Sequence, residues 1–337
     1  MQADTAAARF GGLLAGFSSR RILVVGDLML DEFIWGRVSR ISPEAPVPIV
    51  HVTGESYYPG GAANVARNLK EFTAHVALMG LAGTDASGCR LLALLEAAGI
   101  DTAGVQRDPG LGTTTKTRIV ARNQQVVRVD RERKTTLSAA QTACAMEQLD
   151  GMVVDLDAIV VADYGKGFVT QPLADHLCRR AREHGKILTV DPHPHTSLSW
   201  AGATAVKPNR LEAFLAAGLP PSEPVTPVLE DGALLEAGRR LRQRWQAQNL
   251  LITLGEHGML LFAGDAPASH TPTRAQEVFD VSGAGDTAIA VLTLGLAAGA
   301  TPGEAVELAN RASGIAVGKL GTATVTFEEL QASFRPR

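Results

Sequence analysis

The chain has 337 residues, of which 45% are hydrophobic and 20% are charged, the composition of an ordinary folded protein and not of a disordered or fibrous one. Its 32 basic and 35 acidic residues nearly balance, so the sequence lacks the strong positive charge that favours nucleic-acid binding. The longest apolar run, residues 288–300, is too short and too often interrupted by Thr and Gly to span a bilayer. We therefore expect neither a nucleic acid nor a membrane as a partner.

The three cysteines indicate a reducing environment. Cys89, Cys144 and Cys178 are far apart and form no C-x-x-C pair, so neither a disulfide framework nor a structural zinc site is expected. Residues 10–17 form an apolar segment that is too short and Gly-rich for a secretory signal, and they predict a short leading helix. The sequence thus predicts a cytoplasmic protein.

Short apolar runs alternate with longer helical patterns along the chain. The runs predict buried strands at residues 22–25, 76–79, 158–161, 187–190 and 250–253. The helical patterns lie near residues 61–72, 87–98, 138–150, 170–184, 230–247, 284–298 and 302–317. Because strands without polar alternation belong to sheets covered on both faces, the pattern predicts an α/β fold with a doubly wound, mostly parallel sheet flanked by helices.

Two segments, residues 33–58 and 112–130, break this alternation. They combine strand-forming residues with alternating polar residues and contain no helical pattern. They predict a small antiparallel sheet outside the main layer. Such a sheet could act as a lid over a site, as a dimer contact or as plain edge strands, and the first two roles are compatible with each other.

A glycine-rich segment near the C-terminal end carries the strongest chemical signal. Residues 283–286 read Gly-Ala-Gly-Asp and open an apolar helix. Glycines allow a ligand close to the backbone, and the free N–H groups at the positive end of a helix suit a phosphate. Asp286 would be ionised at neutral pH and could accept the proton of a hydroxyl that attacks a phosphoryl group. The alternative is a structural Gly-rich turn with an acidic residue at the helix start.

Two earlier segments offer groups suited to a sugar. Residues 59–64 open a helix, where paired glycines let hydroxyls approach the backbone and Asn64 offers a donor and an acceptor. Residues 26–31 place Asp27 and Asp31 after the first strand, at the edge where open α/β sheets bind ligands. That edge carries a single glycine, so the dinucleotide fingerprint of a dehydrogenase is absent. A simple turn and helix start is the alternative for residues 59–64.

Two central segments could face phosphates. Residues 207–212 read Lys-Pro-Asn-Arg-Leu-Glu, where Asn209 and Glu212 could organise a hydrated Mg²⁺ near ATP. Asn209 could instead simply cap the following helix. Residues 163–167 read Asp-Tyr-Gly-Lys-Gly and form a loop that could offer Lys166 to a phosphate or leave it in solvent.

Taken in this order, the segments resemble the ribokinase-like (PfkB) family of sugar kinases. The family's signatures are a helix-opening Gly-Gly, then N-x-x-E, then G-A-G-D, and here they lie at residues 60–61, 209–212 and 283–286. The resemblance covers nearly the whole chain. It implies a single ribokinase-like kinase domain over residues 1–337 that uses ATP and Mg²⁺ and carries a β-rich lid. The lid strands themselves favour a homodimer formed through them.

Further segments are similar to the heptose 7-phosphate kinases of this family. They lie at residues 39–48, 59–66, 122–125, 275–281 and 317–322. The similarity implies phosphorylation of the anomeric hydroxyl of D-glycero-β-D-manno-heptose 7-phosphate to the 1,7-bisphosphate, on the route to ADP-heptose and lipopolysaccharide. In many relatives a nucleotidyltransferase domain follows, whereas this chain ends at Arg337. The similarity therefore implies a stand-alone kinase served by a separate adenylyltransferase.

The resemblance also assigns roles to residues of the matching segments. Asp286 is implied as the catalytic base, beside an anion hole formed by Gly283, Ala284 and Gly285. The implied ATP contacts are Asn209, Arg210, Leu211, Glu212, Thr253, Gly255, Gly258 and Asn310, with Glu212 also near the metal. The implied sugar contacts are Asp27, Gly60, Gly61 and Asn64, to which the sequence adds Asp31 and Asp163 as candidates.

A substrate that carries its own phosphate needs a cationic pocket. The candidates in the lid and the central loop are Lys116, Arg118, Arg122, Arg128 and Lys166. Lys116, Arg118 and Arg122 share strand parity, so they could face one side of the lid. The alternative for each is a solvated strand face.

One position departs from the heptose kinases. Where they have Asp-Pro-Lys-Gly after a strand, this chain has His193 in place of the lysine, so one expected contact to a phosphate is absent. The departure leaves open a ribokinase-like kinase for another sugar or sugar phosphate. A non-catalytic sugar- or nucleotide-binding protein on the same fold is a further alternative, although such a protein would be expected to lose Asp286.

Overall fold

The structure, a computed structural model, describes residues 2–122, 124–274, 279–319, 321 and 323–334, with side chains from residue 8 onward. The strands are β1 (Arg21–Gly26), β2 (Leu28–Ile41), β3 (Pro48–Gly61), β4 (His75–Gly83), β5 (Asp101–Asp108), β6 (Thr114–Ala121), β7 (Gln124–Arg131), β8 (Ala158–Ala162), β9 (Ile187–Asp191), β10 (Ala205–Val206), β11 (Asn249–Thr253), β12 (Met259–Ala263) and β13 (Ser269–Thr271). The helices are α1 (Gln2–Ala15), α2 (Ala62–Lys70), α3 (Ala86–Ala97), α4 (Ala139–Met152), α5 (Gln171–Glu183), α6 (Arg210–Ala216), α7 (Gly232–Trp245), α8 (Ala284–Ala297), α9 (Pro302–Ala316) and α10 (Phe327–Ala332).

The main sheet has the strand order β13-β12-β11-β10-β9-β8-β1-β4-β5 within the described residues. The pairs from β5 to β11 are parallel, and β12 and β13 are added antiparallel at one edge. The chain first adds β4 and β5 on one side of β1, and then adds β8 on the other side. The sheet therefore has a switch point at the carboxyl ends of β1 and β8, where ligands of such sheets bind.

Alternate residues of β1 point into two helical layers. Ile22 and Val24 belong to a buried cluster shared with α2, α8 and α9. Leu23 and Val25 belong to a second cluster shared with α4, α5 and α7. All four side chains are fully buried, which is why the strand reads as an unbroken apolar run. The predicted doubly wound, mostly parallel sheet is confirmed.

The predicted helices are present, each with its ends within 2 residues of the expected position. The leading helix is longer than predicted, since α1 begins at Gln2 and not at residue 10. Its early residues are mostly alanine and polar, so they lack the apolar pattern that reveals a packed helix but have high helix propensity. Four strands and one helix were not predicted from the sequence: β5, β10, β12, β13 and α10.

A second sheet has the order β3-β2-β6-β7 and contains both predicted lid segments. The expectation of a wholly antiparallel sheet was wrong: β2 pairs with β6 in parallel, while β2–β3 and β6–β7 are antiparallel. Between β3 and β6 the chain returns through the main sheet, so β6 enters in the same direction as β2. The lid is also longer than predicted, because β2 follows directly after Asp27 and β3 runs to Gly61.

α8 is apolar on all sides and lies between the main sheet and the helices α2 and α9. Its residues from Thr287 to Leu296 are all buried, so only the first turn and the last residues reach the surface. The first turn thereby places Asp286 near the switch point. Among the residues that the structure describes, no helix combines the length and apolar character needed to cross a membrane.

Candidate active site

The start of α8 presents unshielded backbone N–H groups. Gly283 has a φ of 82°, in the left-handed region that favours glycine, and no side chain caps the helix. The first bond within the helix runs from the Thr287 N–H to the Gly283 carbonyl, so the N–H groups of Gly285 and Asp286 have no acceptor inside the helix. With the positive end of the helix dipole, these groups fit an anion such as a phosphoryl group.

Asp286 lies between two side chains from other elements. Asn64 Nδ2 in α2 donates to Asp286 Oδ2 at 2.6 Å, and the Tyr164 hydroxyl donates to Oδ1 at 2.5 Å. Burial raises the pKa of Asp286 to about 6, although both hydrogen bonds act to lower it. This is higher than the ordinary pKa assumed from the sequence, but the carboxylate is still mostly ionised at neutral pH. An oriented, ionised carboxylate can take the proton of an attacking hydroxyl.

Lys207 brings a buried cation to the same place. It follows β10, is 2% exposed, and its Nζ lies 3.0 Å from Asp191 Oδ2. A Cβ built on Gly285 would lie 3.6 Å from Nζ, so the ammonium group is beside the start of α8. Burial alone would lower the pKa of Lys207, but the carboxylates of Asp191 and Glu212 raise it overall. Lys207 is therefore charged and can attract phosphate oxygens.

Asn209 and Glu212 hold the start of α6 in a reciprocal capping box. Asn209 Oδ1 accepts the Glu212 N–H at 2.9 Å, and Glu212 Oε2 accepts the Asn209 N–H at 2.7 Å. Asn209 therefore caps the helix, as one of the two interpretations of the sequence predicted. The cap is compatible with a role near a metal, because Glu212 and Asp191 also line one cavity and act on each other electrostatically. Carboxylate oxygens of this kind suit Mg²⁺ held between protein and phosphates.

A cavity of about 830 Å³ opens beside the start of α8, a volume that accommodates a nucleotide. It is lined by all the predicted ATP contacts: Asn209, Arg210, Leu211, Glu212, Thr253, Gly255, Gly258 and Asn310. Two of them also have structural bonds. Arg210 pairs with Asp231 at 2.8 Å, and Asn310 Nδ2 donates to the Pro272 carbonyl at 2.7 Å. Their contact with ATP stays a prediction.

Asp27 is engaged by the backbone of the loop after β8. Its Oδ2 accepts the N–H groups of Tyr164 at 2.9 Å and Lys166 at 3.0 Å, and its Oδ1 accepts that of Phe168 at 3.0 Å. The residue is 3% exposed. In this structure Asp27 anchors the loop that carries Tyr164, and its contact with a sugar stays a prediction.

Asp163 lies in the same loop and lines the cavity at the start of α8. Its carboxylate accepts the Gly165 N–H at 2.8 Å and the Thr196 hydroxyl at 2.7 Å. Burial raises its pKa, and the nearby charge of Asp27 acts in the same direction. The structure thus places Asp163 among the groups around the predicted nucleotide site, while its assignment to the sugar remains untested.

Asp31 in the lid is held by an ion pair and a close backbone neighbour. Asp31 in β2 forms an ion pair with Arg118 in β6 at 2.5 Å. Gly60 in β3 lies against this carboxylate, since a Cβ there would be 2.4 Å from Asp31 Oδ2. Arg67 in α2 interacts electrostatically with both Asp31 and Asp286. Arg67 therefore links the charged pair of the lid to Asp286, and the contact of Asp31 and Gly60 with a sugar stays a prediction.

The lid cations are held by neighbouring carboxylates. Lys116 Nζ lies 3.3 Å from Asp130 Oδ2, and Arg128 Nε lies 2.9 Å from Asp130 Oδ1. The expectation that Arg122 shares a strand face with Lys116 was wrong. β6 ends at Ala121, and Arg122 lies in the following turn with a φ of 50°, where strand alternation no longer sets the direction of a side chain.

Lys166 connects the central loop to the segment that follows β7. Its Nζ lies 2.6 Å from Glu132 Oε2, and its carbonyl accepts the Thr135 N–H at 2.9 Å. The solvated-loop alternative therefore does not describe Lys166, which forms an ion pair between the main domain and the end of the lid. Whether it also meets a phosphate is untested.

Three residues of this site were missed from the sequence: Tyr164, Lys207 and Arg67. Arg67 follows Asn64 by one helical turn, so the two side chains lie on one side of α2. Its guanidinium carbon lies 5.7 Å from the centre of the Tyr58 ring. The helical spacing was a usable signal for Arg67, whereas Tyr164 and Lys207 gain their places only from long-range packing.

The fold and the site match a known family. The model of the pfkB family carbohydrate kinases matches residues 19–329. The chain belongs to this family of carbohydrate kinases.

The chain is similar over most of its length to proteins described as Bifunctional protein HldE. It is 43% identical to the one from Desulfatibacillum aliphaticivorans over 95% of this chain, and 44% identical to the one from Citrifermentans bemidjiense over 94% of it. These matches cover 64% and 63% of the two relatives, so the chain spans less than two thirds of their length.

Solved structures of sugar kinases share the fold. Phosphofructokinase-2 from Escherichia coli gives a TM-score of 0.73 at 19% identity, covering 94% of this chain and 98% of that one. The ribokinase of Arabidopsis thaliana, complexed with ribose and ATP, gives 0.71 at 15% identity, covering 94% and 99%. At such identities the likeness establishes the fold alone.

The environment of Asp286 predicts the pH dependence of the kinase. Because burial raises the pKa of Asp286 to about 6, a base at this position is lost by protonation as the pH falls through that value. We expect kcat/KM to be constant above about pH 7 and to fall roughly tenfold per unit below the pKa. Initial rates between pH 5 and 9 test this. An acid limb near pH 4, the ordinary range of a carboxyl, would contradict it.

Proposed function

We propose that the protein transfers the γ-phosphate of ATP to the anomeric hydroxyl of D-glycero-β-D-manno-heptose 7-phosphate. The product is the 1,7-bisphosphate, an intermediate toward ADP-heptose and lipopolysaccharide. The observation that carries the proposal is the 43% identity to bifunctional HldE proteins over nearly the whole chain. The free state of Cys89, Cys144 and Cys178 is in keeping with action in the cytoplasm.

The chemistry assigned to the residues is an in-line displacement. Asp286 takes the proton from the anomeric hydroxyl as it attacks the phosphorus. The N–H groups at the start of α8 and the ammonium group of Lys207 stabilise the charge on the transferring phosphoryl oxygens. The lid covers the sugar and keeps water away from Asp286, so that water does not replace the sugar as acceptor.

A Mg²⁺ bound with the nucleotide would neutralise phosphate charge, and Glu212 and Asp191 are the carboxylates placed to hold it. Asp191 has the carboxylate nearest to Lys207, so its negative charge is already shared with that ammonium group. Glu212 Oε2 is occupied by the helix cap, which leaves Oε1 for a metal or its water shell.

Glu212→Gln separates the two roles of this residue. Glutamine can keep the cap to the Asn209 N–H but has no charge for a cation. We expect α6 to stay folded while the Mg²⁺ concentration that gives half-maximal rate rises about tenfold or more. Glu212→Ala is the matched control for the cap, and it should also lower the melting temperature. An unchanged Mg²⁺ dependence in Glu212→Gln would exclude this residue from the metal site.

The phosphate already present on the substrate requires cations near the lid. Arg67 is a candidate because it interacts electrostatically with both Asp31 and Asp286. A carboxylate partner holds each of the other candidates, which would have to leave it to contact the substrate: Arg118, Lys116, Arg128 and Lys166. The lysine expected at position 193 is replaced by His193, and Lys207 supplies a cation to the cavity from the neighbouring strand end.

The decisive experiment is an ADP-release assay with a panel of acceptors. Mg·ATP is combined with heptose 7-phosphate, mannose, ribose and fructose 6-phosphate in turn, and the product is examined by ³¹P NMR for a phosphate at C1. Turnover of heptose 7-phosphate to a C1 phosphate is the expected result. Turnover of a different acceptor alone would favour a ribokinase-like kinase for another sugar. This alternative is motivated by His193, which stands where the heptose kinases have a lysine. No acceptor-dependent ADP release would instead favour a non-catalytic binding protein.

A homodimer through the lid is part of the same proposal. Several apolar side chains of the lid strands are exposed in the single chain, among them Trp35 at 41%, Val127 at 44% and Val129 at 40%. Exposed apolar groups on strands are typical of surfaces that pair with another chain.

A further inference from the structure

Tyr164 contacts the predicted base directly, yet none of the roles discussed above uses it. Its hydroxyl donates to Asp286 Oδ1 at 2.5 Å, opposite the Asn64 amide that donates to Oδ2. We propose that Tyr164 is a positioning residue that fixes the orientation of Asp286 and stabilises its ionised form for proton transfer. This inference rests on the proposed function of Asp286 as the base.

The position of the Tyr164 hydroxyl is determined from both ends of the residue. At the backbone, Asp27 Oδ2 accepts the Tyr164 N–H at 2.9 Å, and two further bonds from Asp27 hold the rest of the loop. The aromatic ring packs against the buried cluster that contains α2 and α8. A side chain held at its backbone and along its ring delivers its hydroxyl to one point, which is the requirement for a group that orients another.

The two donors to Asp286 come from different parts of the fold. Asn64 lies in α2, which follows directly from the lid strand β3, whereas Tyr164 lies in the loop after β8 of the main sheet. The carboxylate is therefore clamped between the lid side and the main sheet. With one oxygen held from each side, the remaining lone pairs of both oxygens point in defined directions, so an incoming hydroxyl meets the base in a fixed geometry.

The hydrogen bond from the Tyr164 hydroxyl favours the ionised form of Asp286. Burial raises the pKa of Asp286 to about 6, and the hydrogen bond from Tyr164 acts to lower it. A hydrogen bond to the ionised form of a carboxyl favours that form. Conversely, burial and the negative charge of Asp286 raise the pKa of Tyr164 well above its ordinary value, so the phenol remains a donor throughout the working range.

Tyr164→Phe tests the role, because it removes the hydroxyl and keeps the ring that packs in the core. We expect the acid limb of kcat/KM for the proposed sugar kinase reaction to move up by about one pH unit. The rate should fall strongly near pH 6 and recover to within about tenfold of the wild type at pH 8.5. A purely structural role for the hydroxyl would lower the rate at every pH without moving the limb.

Tyr57→Phe is the matched control. The Tyr57 hydroxyl also donates to a carboxylate, Glu55 Oε2, at 2.5 Å, but this pair lies on the lid and does not contact Asp286. Removal of the Tyr57 hydroxyl should leave the acid limb of kcat/KM at the same pH as in the wild type.

Biosynthetic replacement of tyrosine by 3-fluorotyrosine keeps every hydroxyl and provides a second measurement if Tyr164→Phe folds poorly. The chain has only 3 tyrosines, and the more acidic fluorinated phenol is a stronger donor, so the limb should move to lower pH. In the Tyr164→Phe background the same replacement should have no effect on the limb.

The outcomes separate this inference from the proposed function. If the wild type releases no ADP with any acceptor, the proposed function fails before Tyr164 is tested. If the wild type turns over and the Tyr164→Phe profile superimposes on it, the positioning role is wrong and the kinase assignment stands. A Tyr164→Phe variant that is faster at every pH would also overturn the inference, because the hydroxyl would then be a competitor of the sugar.

Discussion

Replacing Asp286 with Asn is expected to lower kcat by about 10²- to 10⁴-fold, the range typical for loss of a general base. The substitution keeps the size of the side chain and one of its two hydrogen bonds, to either Asn64 or Tyr164, but removes the group that can take a proton. The start of α8 retains its free N–H groups, so binding of Mg·ATP should change little. Steady-state rates and a direct measurement of ATP affinity test both parts. A rate within a few-fold of the wild type would exclude Asp286 as the base.

The same variant makes a prediction about stability that serves as its control. A carboxyl whose pKa is raised in the folded state stabilises the fold less as the pH rises through that pKa, here about 6. Asparagine carries no such charge. The melting temperature of Asp286→Asn relative to the wild type should therefore increase between pH 5 and pH 8. A difference that is constant with pH would mean that the carboxyl of Asp286 is not destabilised by burial.

Replacing Lys207 with Met should have the second-largest effect, a loss of about 10²- to 10³-fold in kcat/KM, comparable to loss of one group that stabilises transition-state charge. The side chain is 2% exposed, and Met fills a similar volume without the ammonium group beside Gly285. Lys207→Arg should recover little of the rate, because the planar guanidinium group cannot place its charge where the compact ammonium group lies between Asp191 and the start of α8. Rates at saturating and limiting ATP show whether ground-state binding or the transfer step is affected.

The double variant Lys207→Met with Asp191→Asn distinguishes catalysis from folding. Removal of Lys207 alone leaves Asp191 without its partner at 3.0 Å, which destabilises a buried pair. Removing both charges should restore much of the stability but none of the rate, and the single variant Asp191→Asn is the reference that accounts for the loss of a proposed Mg²⁺ ligand. If the double variant recovers activity together with stability, Lys207 is a structural partner of Asp191 and has no part in phosphate binding.

The parts of the fold that the sequence predicted are those with a local signal. The runs at 22–25 and 158–161 are apolar because each residue faces one of two helical layers, so continuous hydrophobicity was a reliable mark of the parallel sheet. α8 was predicted to its first residue, because Gly283 both breaks the preceding structure and opens the helix. The segments from Asn209 to Glu212 and from Gly255 to Gly258 line one cavity, and their contact with ATP stays a prediction.

The parts that the sequence did not predict depend on contacts between distant segments. The parallel pairing of β2 and β6 joins strands separated in the chain by β3 and by two strands of the main sheet, β4 and β5, and no local pattern distinguishes it from an antiparallel pair. Arg122 was misplaced because strand parity cannot tell where β6 ends. Tyr164 and Asp286 lie 122 positions apart, so their hydrogen bond has no trace in either segment alone. The sequence predicts that Asp27 contacts the sugar, but it gives no sign that this carboxylate also accepts backbone N–H groups of the loop after β8.

Two of the connections between the lid and the main domain, β1 to β2 and β3 to α2, have almost no linker, and this bears on hydrolysis of ATP without a sugar. β2 begins one residue after β1 ends, and β3 passes into α2 at Gly61, which has a φ of 60°. Asp27 and Asn64 stand at these two junctions, and they hold Tyr164 and Asp286 respectively. A displacement of the lid would therefore be transmitted to both ends of the clamp on the base. With Asp286 as the proposed base, we expect such a displacement to weaken the clamp and so to restrain hydrolysis of the nucleotide while no sugar is bound.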